Sequence, residues 1–412
     1  MKRDLDSLMQ QRGLDAYLVL GGILGDEGDN EILTYMSGGA PITGGTIMGA
    51  RGVAPLLVVN AMEIEEAAKS GLTIMTEFDF GWAQLIETAQ GDRAQAAVGL
   101  IGRIMSHVGV TAGRVGVYGR GAINRSIEFV RMLREAYPAI AFVGETGMTL
   151  FDEAALTKDD DELARLRSVA GRTSEVLHAT WDYIAGHRAD GDRVVDAAGA
   201  ALTIGAVKRF IRRALLDRDL EDTGTIFAQG RDGGFPHSRG EAAEGLRLGQ
   251  AIIFDLFPRE LGGGFHHDCT RTWSIGFATP DVQRAYDQVR DAFDIAIDTF
   301  RIGMTAKQLQ GGVQDYLEAQ GHPTTRSHPG TTSGYMHSLG HGVGLAIHER
   351  PSLSHLSEDV LQAGMVISIE PGLYYPDDGF GVRLEDLVYV DAGGSLVSLT
   401  DFHNDLILPL RG

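Results

Sequence analysis

The chain has 412 residues, with 56 Asp plus Glu against 36 Lys plus Arg and a net charge of −20. An acidic chain without dense Lys/Arg clusters is poorly matched to a phosphate backbone, which excludes nucleic acid as a partner. A single cysteine, Cys269, forbids an internal disulfide and a Cys-based zinc cluster, and no run reaches membrane-spanning length, so a soluble protein of the cytoplasm that does not engage membranes is expected.

This length predicts two domains. Over residues 1 to about 150, helix-like and strand-like stretches alternate. A helix ending near Gly13 precedes the apolar run Ala16 to Leu20; later come APLLVV from Ala54, the helix-like AMEIEEAAKS before Gly71, and RVGVYG from Arg114. Alternation of this kind predicts an α/β layer domain. It gathers no histidines and carboxylates, so a structural or substrate-shaping role is expected.

The character then changes. Leu163, Leu166, Val169, Val176, Leu177, Trp181 and Ile184 recur at helical spacing, and Asp159, Asp160 and Asp161 lie where the macrodipole favours negative charge. A second helix is predicted around 192 to 216, followed by the Gly-rich FAQGRDGGFPHSRG and then AIIFDLFPRELGGGFHHDCTRTWSIG, residues 251 to 276. This last stretch reads as a hairpin with Asp255 and Asp268 on one side. Val282, Tyr286, Val289, Phe293 and Phe300 mark a further helix, and Thr305 with Gln308 has capping-box spacing. GMVISIEPGLYY and GVRLEDLVYV then predict a second hairpin carrying Glu370 and Glu385, with Arg383 on the face of Glu385. Helices and acid-bearing strands thus occur twice, as if one unit were used twice around a common site.

An ionised acid in an apolar run costs several kcal/mol without a partner. One solution is an ion-pair network with Arg259, Arg271 and Arg383. The other is metal: four carboxylates with a histidine from HSLGHGVGLAIHERP make a hard donor set suited to manganese, cobalt or zinc. Two divalent cations would neutralise four carboxylates and activate a shared hydroxide. The glycines around His341 follow neither the dinucleotide nor the P-loop pattern, so phosphate binding ranks low. Cys269 points away from Asp268 along an extended strand and is read as packing.

DLFPRELGGGFHHDCTRT, HSLGHGVGLAIHERP, ISIEPGLYY and GVRLEDLVYV, in this order, resemble the signatures of the pita-bread metallopeptidases: methionine aminopeptidase, aminopeptidase P, prolidase and the metal-free creatinases. The resemblance implies an N-terminal creatinase/prolidase-like α/β domain over 1–154. An α+β pita-bread catalytic domain with an internal pseudo-twofold repeat would then cover 155–412. It implies two divalent metal ions per subunit, manganese first, with cobalt or zinc as alternatives. Asp255 would chelate one ion, Asp268 and Glu385 would bridge both, and His341 with Glu370 would complete the other. Glu370 would also carry the proton to the leaving nitrogen, His237 would contact substrate, and His348 would stabilise the scissile carbonyl. His337, Tyr374 and Arg383 match substrate-contact or supporting positions, and Thr270 would orient Asp268 or the water. The connection between Asp255 and Asp268 is longer than in many members. The function implied is hydrolysis of the Xaa-Pro bond of proline-containing peptides by a homodimeric Xaa-Pro dipeptidase (prolidase). The alternatives are an aminopeptidase P acting on longer peptides and a non-catalytic pita-bread binding module.

Overall fold

The computed structural model describes residues 4–22 and 30–412. The chain divides into one compact unit comprising Met1–Ala154 and Gly262–Gly264, and another comprising Ala155–Leu261 and Phe265–Gly412. In the first unit a six-stranded sheet runs in the order Thr73–Thr76, Val53–Val59, Gly45–Ala50, Ala16–Gly21, Gly113–Gly119, Ile140–Val143. Along its strand Ala16–Gly21 the side chains alternate between two apolar clusters: Ala16 and Leu18 pack with Ile101 and Phe129, and Tyr17 and Val19 with Leu5 and Phe151. Helices therefore cover both faces, which is what the alternating sequence predicts. The first helix, Leu5–Arg12, stops at Gly13 because that residue is left-handed, with φ 63°.

The second unit begins with helix Asp160–Ala185, whose N-cap Asp159 and Glu162 form a capping box. The predicted helix around 192 to 216 is shorter than expected. Arg188–Asp190 and Arg193–Val195 form a hairpin, and the helix runs only over Ile204–Leu216, capped by Thr203. Val194 is fully buried and exchanges backbone hydrogen bonds with Leu202 and Leu246. Its N–H and C=O are paired across extended segments, to Leu246 and Leu202, in place of bonds along a helix. Helices Pro280–Thr299 and Ala306–Ala319 follow, the latter opened by the Thr305–Gln308 capping box.

Two sheets fill the space between the helices. One has the order Ile226–Gln229, Ala251–Leu256, Cys269–Ile275, Ile407–Leu408; the other has Glu349–Ser352, His341–Gly342, Val366–Ile369, Asp386–Val390, Leu396–Ser398. They meet at a bridge between Thr270 and Glu385. Among the described residues no helix is long and apolar enough to cross a membrane.

Asp159→Ala removes the N-cap acceptor of the longest helix and should destabilise the unit that helix belongs to by about 1 kcal/mol. Urea unfolding followed by circular dichroism reads this directly, and an unchanged midpoint would mean that the cap contributes nothing.

Candidate metal centre

Asp255 lies opposite Thr270 in the ladder between Ala251–Leu256 and Cys269–Ile275. Asp268 directly precedes the second strand, two residues before Thr270, so both acids face the side on which Thr270 lies. The long connection between them is itself structured. Arg259–Glu260 pairs with Leu220–Glu221, Arg259 forms an ion pair with Glu221, and Gly262, Gly263 and Gly264 all take positive φ.

The second pair of acids sits where its hairpin is broken. Ile369 pairs with Asp386 and Gly372 with Arg383, so one register runs through both ladders and sets 370 opposite 385. Pro371 has no N–H to give, and the gap is spanned by Leu384 N–H to Pro371 O at 3.3 Å. In that register 370 and 385 are the alternate pair whose N–H groups point away from each other's strand, and the Glu385 N–H donates to Thr270 O at 3.1 Å and the Glu370 N–H to Leu339 O at 2.8 Å. These outward bonds tie the second hairpin to the first and to the segment that carries His341.

His341 is oriented by its own backbone surroundings. Its N–H donates to Ser368 Oγ at 3.0 Å, and its Nδ1 lies 3.1 Å from Gly342 O. With the proton on Nδ1, the lone pair of Nε2 faces Asp268 Oδ2 at 3.6 Å and Glu370 Oε1 at 3.4 Å. Donor atoms of Asp268, His341 and Glu385 lie within 4.8 Å of one another. Glycine is required on both sides of this histidine. A Cβ on Gly340 would come 2.0 Å from Ser368 O, and one on Gly342 would come 2.0 Å from Arg350 O. Ser368 was not singled out in the sequence, although its place two residues before Glu370 on one strand face was a usable signal.

Charge decides between the two solutions open in the sequence. Arg259 pairs with Glu221 and Arg271 with Asp386, and among the described residues Arg383 is the arginine whose ion pair with one of the four acids, Asp255, is seen. Four carboxylates against one guanidinium leave three formal negative charges in a place where Asp255, Asp268 and Glu385 are 8%, 5% and 2% exposed. Burial raises the pKa of all four acids. For Asp268 the charges of Glu385, Asp255 and Glu370 add to this, and for Glu385 those of Glu370 and Asp255. Burial lowers the pKa of His337, His341 and His348, which removes them as counter-charges. Asp255 Oδ1 is buried without a hydrogen-bond partner. An oxygen-rich, overcharged set with an orphan oxygen fits divalent cations.

Other predicted residues surround this core. Thr270 Oγ1 donates to Glu385 Oε2 at 2.7 Å, so it orients Glu385 where the sequence suggested Asp268, and it accepts from Arg383 Nε at 3.0 Å. Arg383 also donates to the Tyr374 hydroxyl at 2.9 Å, and Tyr374 in turn lies 2.9 Å from His337 Nε2. Burial pushes the Tyr374 hydroxyl up to about 12. The exposed His348 ring stands edge-on to His341, with centroids 4.4 Å apart. His237 is exposed on the loop after Asp232–Gly234. Cys269 is buried with its thiol towards Leu256 O, as packing requires.

The pattern of metallopeptidase family M24 matches residues 164–392. A probable dipeptidase PepE of Mycobacterium tuberculosis is 30% identical over 253 residues, which is 61% of this chain and 60% of that protein. The Xaa-Pro dipeptidase of Pyrococcus furiosus is 37% identical over 172 residues, 42% of this chain and 45% of that one. The match thus spans well under two thirds of these curated relatives. Among solved structures, an Xaa-Pro dipeptidase from Bacillus anthracis covers 98% of both chains with a TM-score of 0.75 at 21% identity. An X-Pro aminopeptidase from Thermotoga maritima covers 99% of both with a TM-score of 0.72 at 19% identity.

The raised pKa of Asp268 has a measurable sign. The folded chain keeps this proton to higher pH than the unfolded chain does, so the stability contributed by the group is full below its ordinary range and lost as pH rises above it. In chelator, the thermal midpoint of the wild type should therefore fall relative to that of Asp268→Asn as pH is raised above the ordinary aspartate range. A difference independent of pH would show that no uncompensated charge resides there.

Proposed function

The chain belongs to metallopeptidase family M24, and from that membership we propose that it hydrolyses the Xaa-Pro peptide bond as an Xaa-Pro dipeptidase. Its fold is the expected α/β domain followed by an α+β pita-bread domain with an internal repeat. We place the boundary between residues 154 and 155. The observation that carries the reading is the surplus of buried carboxylates over the single guanidinium of Arg383.

Asp255, Asp268, His341, Glu370 and Glu385 would hold two divalent cations, manganese first and cobalt or zinc as substitutes. The cations would supply a water acidic enough to attack a carbonyl at neutral pH. Glu370, with its raised pKa and its place 3.4 Å from His341 Nε2, is suited to take a proton from the attacking water and pass it to the departing proline nitrogen. His348 is exposed beside His341 and would donate to the scissile carbonyl oxygen as negative charge develops there. His237 and His337 would contact the peptide. The Arg383–Tyr374–His337 relay fixes the tautomer: if His337 Nδ1 donates to Ser338 O at 2.7 Å, Nε2 is left to accept from Tyr374. Proline suits such a site because its nitrogen carries no N–H that must be satisfied.

Aminopeptidase P activity on longer peptides is the second reading, favoured by the structural likeness to an X-Pro aminopeptidase over the whole chain. A binding module without catalysis is disfavoured because all five ligand positions hold competent donors. A homodimer in the cytoplasm completes the proposal, the dimer following from the family resemblance alone and the compartment from the single cysteine.

Three substrates, an Xaa-Pro dipeptide, an Xaa-Pro-Yaa tripeptide and a proline-free peptide, assayed with each metal in turn, should show turnover of the dipeptide foremost. Preference for the tripeptide would favour the aminopeptidase reading, and absence of bound metal after incubation with manganese or cobalt would favour the binding module. Asp268→Asn should abolish hydrolysis while the protein remains folded. His348→Ala should lower kcat by about 100-fold or more with metal content unchanged; loss of metal instead would place His348 among the ligands.

A further inference from the structure

The loop that carries His348 is held by a charge pair outside the proposed ligand set. Strands His341–Gly342 and Glu349–Ser352 form a short antiparallel pair with Gly342 opposite Glu349, and residues 343–348 loop between them. The Glu349 side chain turns back into this loop, where Oε1 accepts the Ala346 N–H at 3.1 Å. A Cβ on Gly344 would lie 2.3 Å from Glu349 Oε2, so the absence of a side chain at 344 is what admits the carboxylate. Oε2 accepts from Lys158 Nζ at 2.6 Å, and the same ammonium donates to Ala155 O at 2.6 Å.

Neither charge is free in water: the Lys158 and Glu349 side chains are 3% and 15% exposed. The lysine is itself pinned. Its backbone N–H donates to Gly364 O at 2.8 Å, in the turn before the strand Val366–Ile369 that carries Ser368 and leads to Glu370. Lys158 thus holds the His348 loop through its ammonium and the turn that leads to Ser368 and Glu370 through its backbone. A shielded, charge-assisted hydrogen bond of this kind fixes geometry, because a partner left behind has no water to replace what it lost.

We propose that the Lys158–Glu349 ion pair is the positioning device for His348, setting where the imidazole stands over the substrate carbonyl without contributing to metal affinity. The inference rests on the role given above to His348, and it deepens that role by naming what aims the ring. Neither residue touches substrate; both act through the 343–348 loop.

The test compares wild type with Lys158→Met, which leaves the Glu349 carboxylate without its cation, and Glu349→Gln, which keeps the shape and the acceptor for Ala346 while removing the charge. Each variant should lose kcat on an Xaa-Pro dipeptide by on the order of ten- to a hundredfold. KM should stay within about threefold, and metal content per subunit should match the wild type. In the metal-free protein, the ring-proton resonance of His348 should move in both variants while that of His178 stays in place. Unchanged kcat with an unmoved His348 resonance in a folded variant would overturn the proposal, and so would metal loss in proportion to activity. If Lys158→Met fails to fold, Glu349→Gln decides alone. Wild type inactive on every Xaa-Pro peptide would sink the function proposed above, and the His348 resonance would still settle whether the pair positions the ring.

Discussion

Mutual repulsion among four clustered carboxylates, three of them buried and Glu370 half-buried, is the constraint around which the catalytic unit is arranged. Asp255, Asp268, Glu370 and Glu385 share a space in which water screens little and, among the described residues, the guanidinium of Arg383 is the one paired with them. Protons or divalent cations must make up the difference. Every polar group that touches the acids works within that constraint. Thr270 has one hydroxyl proton, which it gives to Glu385 while accepting from Arg383. Arg383 spreads its donors over Asp255, Thr270 and Tyr374.

The backbone answers the same demand. Glu370 and Glu385 face each other as a pair whose N–H groups point outward from the hairpin, and those two donors reach Leu339 and Thr270. Three segments that could have packed as separate layers are thereby held in one geometry. Buried Arg271 reinforces the seam from the far side, donating to the backbone oxygens of Thr270, Glu385, Phe402 and His403 and pairing with Asp386. Gly340 and Gly342 serve close approach, since the oxygens of Ser368 and Arg350 occupy the space a side chain would need.

Much of this was legible in the sequence, for identifiable reasons. Acids embedded in apolar runs are conspicuous because burial without a partner is expensive, and this flagged Asp255, Glu370 and Glu385 before any coordinates. Helical periodicity located Asp160–Ala185 and Pro280–Thr299, and capping chemistry located the start of Ala306–Ala319. Periodicity failed over residues 192–203, where Val194 and Leu202 are buried by extended pairing with Leu246, a partner far along the chain that local spacing does not reveal. The competition between arginine and metal was likewise undecidable from composition. It turned on Arg259 and Arg271 being engaged by Glu221 and Asp386, which are tertiary facts. Thr270 was placed on the correct face, but its partner across the seam, Glu385, comes from the other hairpin.

The bond from Thr270 to Glu385 also bears on how the molecule assembles. Its two residues are 115 positions apart in sequence, and the Asp255–Arg383 pair closes a span of 128. Loops of that size must surrender their chain entropy before either contact returns anything, so these pairings belong among the late events on the folding route. Each hairpin alone holds only two of the acids. A nascent chain released before residue 383 therefore lacks both the fourth carboxylate and the guanidinium, and full occupancy of the centre by metal becomes a report that both halves have been synthesised and docked.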